Sequence, residues 1–233
     1  ASQQLNYVEV HDGKTLADLM KYYNPHDDDK AHKKRVEFAT SMSTLSQGIN
    51  FVQIGQEFLK SKKGDHNTYN AGDEKNMINW NQIKENADSV NFMKSLLTFR
   101  QNEALLHKSN FKDIHSVMKI TNAQENSGII TYELTNPETK DKYLVIFNNN
   151  RIPDNNRKLT IGRKGDNYYY GAKHKDKTGN INGNDFTNAF IVTSNSENLY
   201  NKIGQFNKEE NITMEYISTT VLFIPSKPTM KLM

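Results

Sequence analysis

The chain has 233 residues, of which 30 are basic and 27 acidic, so its formal net charge is only +3, and it contains no cysteine. The balanced charge argues against nucleic acid as the main partner, and the lack of cysteine excludes disulfides and thiolate metal sites. No apolar run approaches the roughly 20 residues that a membrane-spanning helix needs.

The first predicted element is a short buried strand, residues 5–10, which contains the β-branched and aromatic residues that favour strands. It ends on the ionisable pair His11 and Asp12, and Gly13 breaks the run directly after them. In barrels of parallel strands the chemistry lies at the carboxyl ends of the strands, so this pair is a candidate active-site pair. The alternative is an acidic residue at an ordinary strand-to-loop turn, with the histidine hydrogen-bonded locally.

Two helices and a second strand follow. Thr15 can cap a short helix over residues 16–22, and a longer helix is predicted over residues 30–46. The histidines and aspartates of residues 26–32 could ligate a metal, but aspartates ahead of a helix are better explained by its positive N-terminal end. The apolar run 49–54 is typical of a buried parallel strand, so the order strand, helix, strand predicts a βαβ unit.

A polar loop and a further helix complete the first half. Glu57 follows the second strand and could be catalytic by position alone. The loop over residues 60–81 is rich in Gly, Asn and Asp, and a loop of this length in a compact domain is usually functional. Residues 88–99 then predict a helix with a broad buried face.

From about residue 111 the sequence changes to a period of two, which is typical of strands. Turn clusters rich in Asn, Gly, Pro and Ser separate seven short strands, and this arrangement suggests an antiparallel sandwich. The predicted strands are residues 114–120, 128–134, 143–147, 168–171, 189–192, 213–217 and 219–224.

Three segments of the first half carry a resemblance to a known family. Residues 6–16, NYVEVHDGKTL, resemble the late signature segment of the α-amylase family of glycoside hydrolases. Residues 48–59, GINFVQIGQEFL, resemble the last barrel strand of that family and the Gly-Gln-Glu that closes it. Residues 63–76, KGDHNTYNAGDEKN, which lead into Asn79 and Trp80, resemble the pullulanases specifically, the members that cleave α-1,6 branch points.

The resemblance implies an architecture of class α/β plus all-β. Residues 1–107 would be the C-terminal segment of a catalytic (β/α)8 barrel, with its last two strands and helices, and residues 108–233 would be a C-terminal antiparallel β-sandwich domain. A barrel of this kind closes with eight strands. We therefore expect the N-terminal remainder of the same enzyme to be a partner of this segment.

The resemblance also implies roles for individual residues. Retaining glycosidases need a carboxylate nucleophile and a carboxylic acid flanking the bond, and by resemblance both belong to earlier strands. Asp12 would be the third carboxylate, which stabilises the oxocarbenium-like transition state, and His11 would bind hydroxyls of the same sugar. Glu57 would be structural. Further substrate-binding residues would come from the loop: Asn67, Tyr69, Asn70, Asp73 and Asn76.

Some positions depart from the family pattern or leave alternatives open. Gly13 stands where the family usually has Asn, Val10 where a small polar residue is frequent, and Asn50 where Pro is common. Trp80, the only tryptophan, can either stack on a sugar ring or anchor the loop to the core.

The expected function is that of the C-terminal part of a retaining glycoside hydrolase that cleaves α-1,6-glucosidic bonds in pullulan, glycogen or starch. We expect the isolated segment to be inactive, because it carries neither the nucleophile nor the acid. The alternative is a non-catalytic carbohydrate-binding or assembly module. Neither a cofactor nor a metal is expected, and a polysaccharide substrate favours an extracellular or cell-surface location over the cytoplasm.

Overall fold

A computed structural model of the chain describes residues 3–123, 128–150, 159–164, 167–172, 186–187, 190–195, 212–214 and 216–226. The chain divides into two compact units, Ala1–Ser109 and Asn110–Met233. The first unit is mainly helical, and the second is built on antiparallel sheet. In the part of the chain described, no helix combines the length and the apolar character needed to cross a membrane.

The first unit alternates short strands with helices. Its strands β1 and β2 form a parallel pair, in which Leu5 lies opposite Ile49 and Asn6 opposite Asn50. Short 3-10 turns at Gln56–Phe58 and Ala104–Leu106 connect the longer elements. The elements in chain order are β1 Leu5–Asn6, α1 Leu16–Tyr23, α2 Asp29–Thr44, β2 Ile49–Asn50, α3 Asp73–Asn76, α4 Gln82–Glu85 and α5 Ala87–Asn102.

Side-chain caps explain where α1 and α2 begin. The hydroxyl of Thr15 accepts a hydrogen bond from the backbone N–H of Asp18, and the carboxylate of Asp28 accepts one from the N–H of Ala31 at 2.7 Å. Each cap satisfies an N–H group that the first turn of a helix leaves unpaired. The interpretation of Asp28 as a partner of the α2 N-terminus is therefore confirmed.

The helices of the first unit pack through buried apolar side chains. Leu16 and Ala17 of α1 form one cluster with Val36 of α2. Helix α5 packs against α2 with a broad apolar face, as its sequence predicts. The buried apolar residues of that face are Phe92, Met93, Leu96 and Phe99.

A buried arginine joins α5 to the end of α2. The guanidinium of Arg100 donates to the carbonyl oxygens of Thr44 at 2.6 Å and Ser46 at 2.7 Å, and also to that of Gly48. The last carbonyls of a helix have no partner within the helix, so Arg100 satisfies groups that would otherwise be buried without a hydrogen bond. The same side chain thereby fixes the chain segment that leads into β2.

Both predicted barrel strands are shorter and more exposed than expected. The strand predicted over residues 5–10 is reduced to β1, and that predicted over residues 49–54 is reduced to β2. Leu5 and Ile49 are exposed, although the apolar pattern predicted burial. Within the described residues these two strands pair only with each other. A parallel pair without neighbouring strands or helices on both faces keeps few ladder hydrogen bonds and leaves its side chains uncovered.

The second unit begins with a helix that the sequence pattern did not predict. Helix α6, Phe111–Val117, precedes strand β3, Met118–Asn122, so the strand predicted over residues 114–120 is wrong for its first part. The side chain of Asn110 accepts a hydrogen bond from the N–H of Asp113 at 2.9 Å and caps α6. This local cap outweighs the period-two alternation of the apolar residues.

The described strands of the second unit form two antiparallel sheets. One has the order β3-β4-β5-β11-β9, and the other has the order β10-β6-β7-β8. After β3, the strands are β4 Ile129–Thr135, β5 Lys142–Asn148, β6 Leu159–Lys164, β7 Asn167–Ala172, β8 Phe186–Thr187, β9 Phe190–Ser194, β10 Ile212–Met214 and β11 Ser218–Ile224.

Of the seven strands predicted in the second unit, five match described strands and two are present only in part. Strands β4, β5, β7, β9 and β11 match the predicted positions, whereas β6 and β8 were not predicted. The strand predicted over residues 213–217 ends at Met214, and Ile217 adopts a left-handed backbone conformation with φ 46° that does not continue a strand. Leu144, Val145 and Ile146 of β5 are all buried, so the alternation disappears at the centre of this sheet.

Burial in the five-stranded sheet predicts which isoleucine stabilises the second unit. Ile146 on β5 is 0 % exposed, whereas Ile120 on β3 is 62 % exposed. We expect Ile146→Ala to lower the free energy of unfolding by about 2–5 kcal/mol, because it opens a cavity in the core. The matched variant Ile120→Ala should change it by no more than about 0.5 kcal/mol. Urea denaturation measures both, and equal losses would contradict the central position of β5.

Candidate functional site

The turn that follows β1 carries His11 and Asp12. Their side chains are 82 % and 88 % exposed, and the imidazole Nε2 lies 3.5 Å from a carboxylate oxygen of Asp12. Gly13 has φ 76°, a left-handed conformation that other side chains disfavour, so glycine suits this position of the turn. The turn thus presents a carboxylate and an imidazole to the solvent, side by side.

A buried lysine holds the backbone of this turn from the inside. The side chain of Lys62 is almost fully enclosed, with 6 % of the residue exposed. Its ammonium donates to the carbonyl oxygen of His11 and to that of Gly13, the latter at 3.3 Å. The same ammonium therefore bonds the carbonyls of the residues before and after Asp12.

The carboxylate of Asp18 fixes the segment that carries this lysine. One oxygen accepts a hydrogen bond from the hydroxyl of Ser61 at 2.6 Å, and the other accepts one from the backbone N–H of Lys62 at 2.7 Å. The ammonium of Lys14 adds a link to the carbonyl of Gly64. Helix α1, the His11–Asp12 turn and residues 61–64 are thereby joined into one hydrogen-bonded network.

Glu9 is a second buried ionisable group beside the turn. It is 5 % exposed, and one of its carboxylate oxygens accepts a hydrogen bond from the N–H of Leu16, at the start of α1, at 2.8 Å. Burial raises the pKa of Glu9 from its ordinary value of 4.5 to about 7, although the bond from Leu16 and the charges of Lys60 and Lys62 oppose this increase. The nearby Asp18 adds to it.

Glu57 makes a local contact of the kind that a structural residue makes. Its carboxylate accepts a hydrogen bond from the N–H of Gly55 at 2.9 Å and so closes the tight turn at the end of the GQE segment. Gly55 has φ 98°, and a Cβ atom there would lie 2.7 Å from the Cβ of Lys60. The turn therefore requires glycine, and the structural role of Glu57 stays a prediction that this contact favours.

The predicted substrate-binding residues of the loop are all exposed: Asn67, Tyr69, Asn70, Asp73 and Asn76. Asn76 also holds the loop together, because its side-chain amide donates to the carbonyl of Thr68 at 2.6 Å. Asp65 accepts hydrogen bonds from the ammonium of Lys75 and from the N–H of Asn67, and these bonds lower its pKa from 3.8 to about 2. The loop is thus ordered by its own polar contacts, while Asn67, Tyr69, Asn70 and Asp73 present their side chains to the solvent.

Trp80 combines the two arrangements that the sequence left open. Its ring centroid lies 6.2 Å from that of Phe58, which is fully buried, yet Trp80 is 59 % exposed. The indole therefore touches the core at one side and leaves much of its surface open. Both a role as an anchor and a role in stacking remain compatible with this position.

The structure joins the turn to the beginning of the loop. His11 and Gly13 are bonded to Lys62, and Lys14 to Gly64, whereas the predicted loop residues lie further along the same segment. Among the described residues, no cluster of three or more histidine, aspartate or glutamate side chains could hold a metal ion.

Sequence reasoning missed Glu9, Asp18 and Lys62. A signal existed for Glu9, because a glutamate inside a predicted buried strand needs a partner. Lys62 gave no such signal, since it lies among three lysines within four residues and such a run normally faces solvent. Its burial depends on tertiary contacts: the carbonyls that its ammonium bonds lie 51 and 49 residues earlier in the chain, and Asp18 of α1, which bonds its backbone N–H, lies 44 residues earlier.

The raised pKa of Glu9 predicts a specific pH dependence of stability. The folded chain favours the protonated carboxyl, so its contribution is fully present below pH 4.5 and is lost as the pH rises through about 7. Glu9→Gln keeps an acceptor for the Leu16 N–H and removes the titration. Relative to this variant, the original chain should lose roughly 2–3 kcal/mol between pH 4.5 and 7.5, at about 1.4 kcal/mol per pKa unit.

The measurement is urea denaturation at several pH values, followed by the fluorescence of Trp80, which lies in the first unit. The difference between the two proteins removes the pH dependence of other groups. Parallel curves across this range would show that Glu9 does not change its charge there.

Comparison with known proteins gives relatives of one kind. No protein-family model matches the chain. It is 28 % identical to a pullulanase of Bacillus subtilis (strain 168) over 142 residues, which cover 61 % of this chain and 20 % of that protein. It is also 28 % identical to an isoamylase of a Flavobacterium species over 130 residues, covering 46 % of this chain and 17 % of that protein.

Solved structures agree with the sequence relatives. A pullulanase from Anoxybacillus sp. LM18-11, complexed with maltotetraose, matches 95 % of this chain and 28 % of that one, with a TM-score of 0.72 and 25 % identity. The chain spans less than a third of the length of each of these relatives. In sequence and in fold, the chain is therefore related to the pullulanases, debranching members of the α-amylase family of glycoside hydrolases.

Proposed function

We propose that the chain is the C-terminal part of a retaining glycoside hydrolase that cleaves α-1,6-glucosidic branch points in pullulan, glycogen or starch. The observation that carries this proposal is the exposed pair His11 and Asp12, held in the turn that follows the parallel strand β1 by the buried ammonium of Lys62. The relationship to pullulanases, one of them solved with maltotetraose, supports an α-glucan as the substrate class.

Asp12 is the residue to which we assign the chemistry of this segment. An exposed carboxylate can accept hydrogen bonds from two sugar hydroxyls, and its charge stabilises the positive ring of an oxocarbenium-like transition state. His11 lies next to it and can bond a hydroxyl of the same sugar. The nucleophile and the general acid belong to barrel strands outside this segment, so the segment completes a site rather than forming one alone.

An exposed apolar surface supports the remainder of the barrel as the partner. The strand pair β1 and β2 and the residues that follow it expose a set of large side chains, and Tyr7 and Phe51 in that set meet edge to face, with ring centroids 6.3 Å apart. Surfaces of this kind mark interfaces. We propose that neighbouring strands and helices of the complete barrel cover these side chains: Leu5, Tyr7, Ile49, Phe51 and Ile54.

The domain organisation that we propose follows from the same relationship. Residues 1–107 would complete the catalytic barrel, and residues 108–233 would form the C-terminal β-sandwich domain. The division of the chain near residue 109 and the two antiparallel sheets of the second unit support this organisation.

The central test is Asp12→Asn in the complete polypeptide, with pullulan as the substrate. The substitution keeps the side-chain volume and removes the charge. We expect kcat to fall by about 100- to 1,000-fold with little change in substrate affinity, because the lost interaction is made mainly in the transition state. His11→Ala should have a smaller effect on kcat, since it removes neutral hydrogen bonds. Glu57→Gln should lower the melting temperature more than kcat.

A kcat near that of the unmodified protein for Asp12→Asn would overturn the proposal. If the chain also binds linear maltooligosaccharides equally well with and without this substitution, the alternative of a non-catalytic binding module is favoured. Melting temperatures of all three variants serve as controls for folding.

The apolar surface leads to a prediction about hydrogen exchange. Backbone amides of residues 5–10 and 49–54 should exchange fast in the 233-residue chain, because no other strand among the described residues pairs with β1 or β2. The same amides should be protected in the complete polypeptide, where neighbouring strands would pair with them. Mass-spectrometric exchange of both proteins measures this contrast. Equally strong protection in both would mean that this chain covers its edges in another way, such as self-association.

A further inference from the structure

We infer that Lys62 is a positioning residue for Asp12, an inference that rests on the proposed function. The ammonium of Lys62 joins the carbonyl oxygens of His11 and Gly13, which lie on either side of Asp12 in the chain. Lys62 does not touch the candidate substrate position itself, because it is enclosed behind the turn. It acts through the backbone that carries the carboxylate.

The geometry explains how a remote ammonium can orient this carboxylate. The side chain of Asp12 is 88 % exposed, so its direction depends on the backbone from which it projects. The ammonium of Lys62 bonds the peptide group that precedes Asp12, through the His11 carbonyl, and the peptide group that follows Gly13, through the Gly13 carbonyl. These two bonds restrict the backbone between them, and therefore the direction of the Cα–Cβ bond of Asp12. Gly13, with φ 76°, could otherwise let the turn adopt several conformations.

The backbone of Lys62 is fixed in turn by α1. Its N–H donates to Asp18 at 2.7 Å, and the hydroxyl of Ser61 donates to the same carboxylate at 2.6 Å. Lys62 therefore connects the turn at its ammonium to the first turn of α1 at its backbone. A buried ammonium is costly unless it is hydrogen-bonded, so this connection persists only while both carbonyls remain in place.

In its ionised form, Glu9 supplies a counter-charge to Lys62. Its carboxylate is buried and interacts electrostatically with Lys62 and Lys60. The attraction lowers the cost of enclosing the Lys62 ammonium. The arrangement fits a support for the turn better than it fits a solvated surface lysine.

The test is Lys62→Met in the complete polypeptide, with Lys63→Met as the matched control. Methionine keeps much of the apolar stem and removes the ammonium. Lys63 is the neighbouring lysine and pairs with Glu74 at the surface. We expect Lys62→Met to lower kcat on pullulan by about 10- to 100-fold with little change in KM, because a displacement of about 1 Å at a catalytic group can cost 100-fold. Lys63→Met should remain near the original kcat.

A double-mutant cycle separates positioning from a general loss of structure. In an Asp12→Asn background, Lys62→Met should lower kcat by less than threefold, because the group that it positions no longer acts. Asp18→Asn weakens the other end of the connection and should give a smaller loss with the same non-additivity. This second variant keeps the test informative if Lys62→Met does not fold.

The outcomes of the two proposals can be told apart. If Asp12→Asn lowers kcat but Lys62→Met and Asp18→Asn leave kcat unchanged, the positioning role is wrong and the proposed function stands. The same conclusion follows if the effects of Lys62→Met and Asp18→Asn multiply with that of Asp12→Asn. If Asp12→Asn itself leaves kcat unchanged, both proposals fail.

Discussion

The ammonium of Lys62 and the carboxyl of Glu9 are buried near the His11–Asp12 turn, the carboxylate of Asp18 is half-buried, and the need to give these three groups hydrogen-bond partners shapes the first unit. Each of the three groups has a hydrogen-bond partner in a different element: the turn, the start of α1, or the loop that begins at residue 61. Burying an ion without such partners costs several kcal/mol. The polar network therefore fixes the relative positions of elements that apolar packing alone would leave adjustable.

Local signals allowed much of the fold to be predicted. Thr15 and Asp28 cap the helices that they were expected to begin, and strands β4, β5 and β11 lie where the alternation indicated. The predictions were wrong where non-local pairing limits a strand, and in one place where a local cap was overlooked. The strands at residues 5–10 and 49–54 extend only as far as they pair with each other, and α6 forms because the Asn110 cap outweighs the alternating pattern.

The candidate site divides in the same way between local and non-local information. His11 and Asp12 were recognised from a short segment, because a motif is a property of neighbouring residues. Lys62 was missed, since its burial arises from contacts with residues about 50 positions earlier. A surface lysine and a buried lysine look the same in the sequence, and only the fold distinguishes them. The structure thus identifies the buried groups, such as Lys62, that hold the backbone of the motif in place.

The guanidinium of Arg100 has a mechanical consequence for the first unit. Its donors lie in one rigid plane, and carbonyls from the end of α2 and from the approach to β2 converge on that plane. Rotation of α2 about its axis, or sliding of β2 along its partner, would pull these carbonyls out of the plane and break the bonds. Arg100 thus ties α5, the end of α2 and the approach to β2 to one rigid group, so none of the three can move far by itself without the loss of a hydrogen bond.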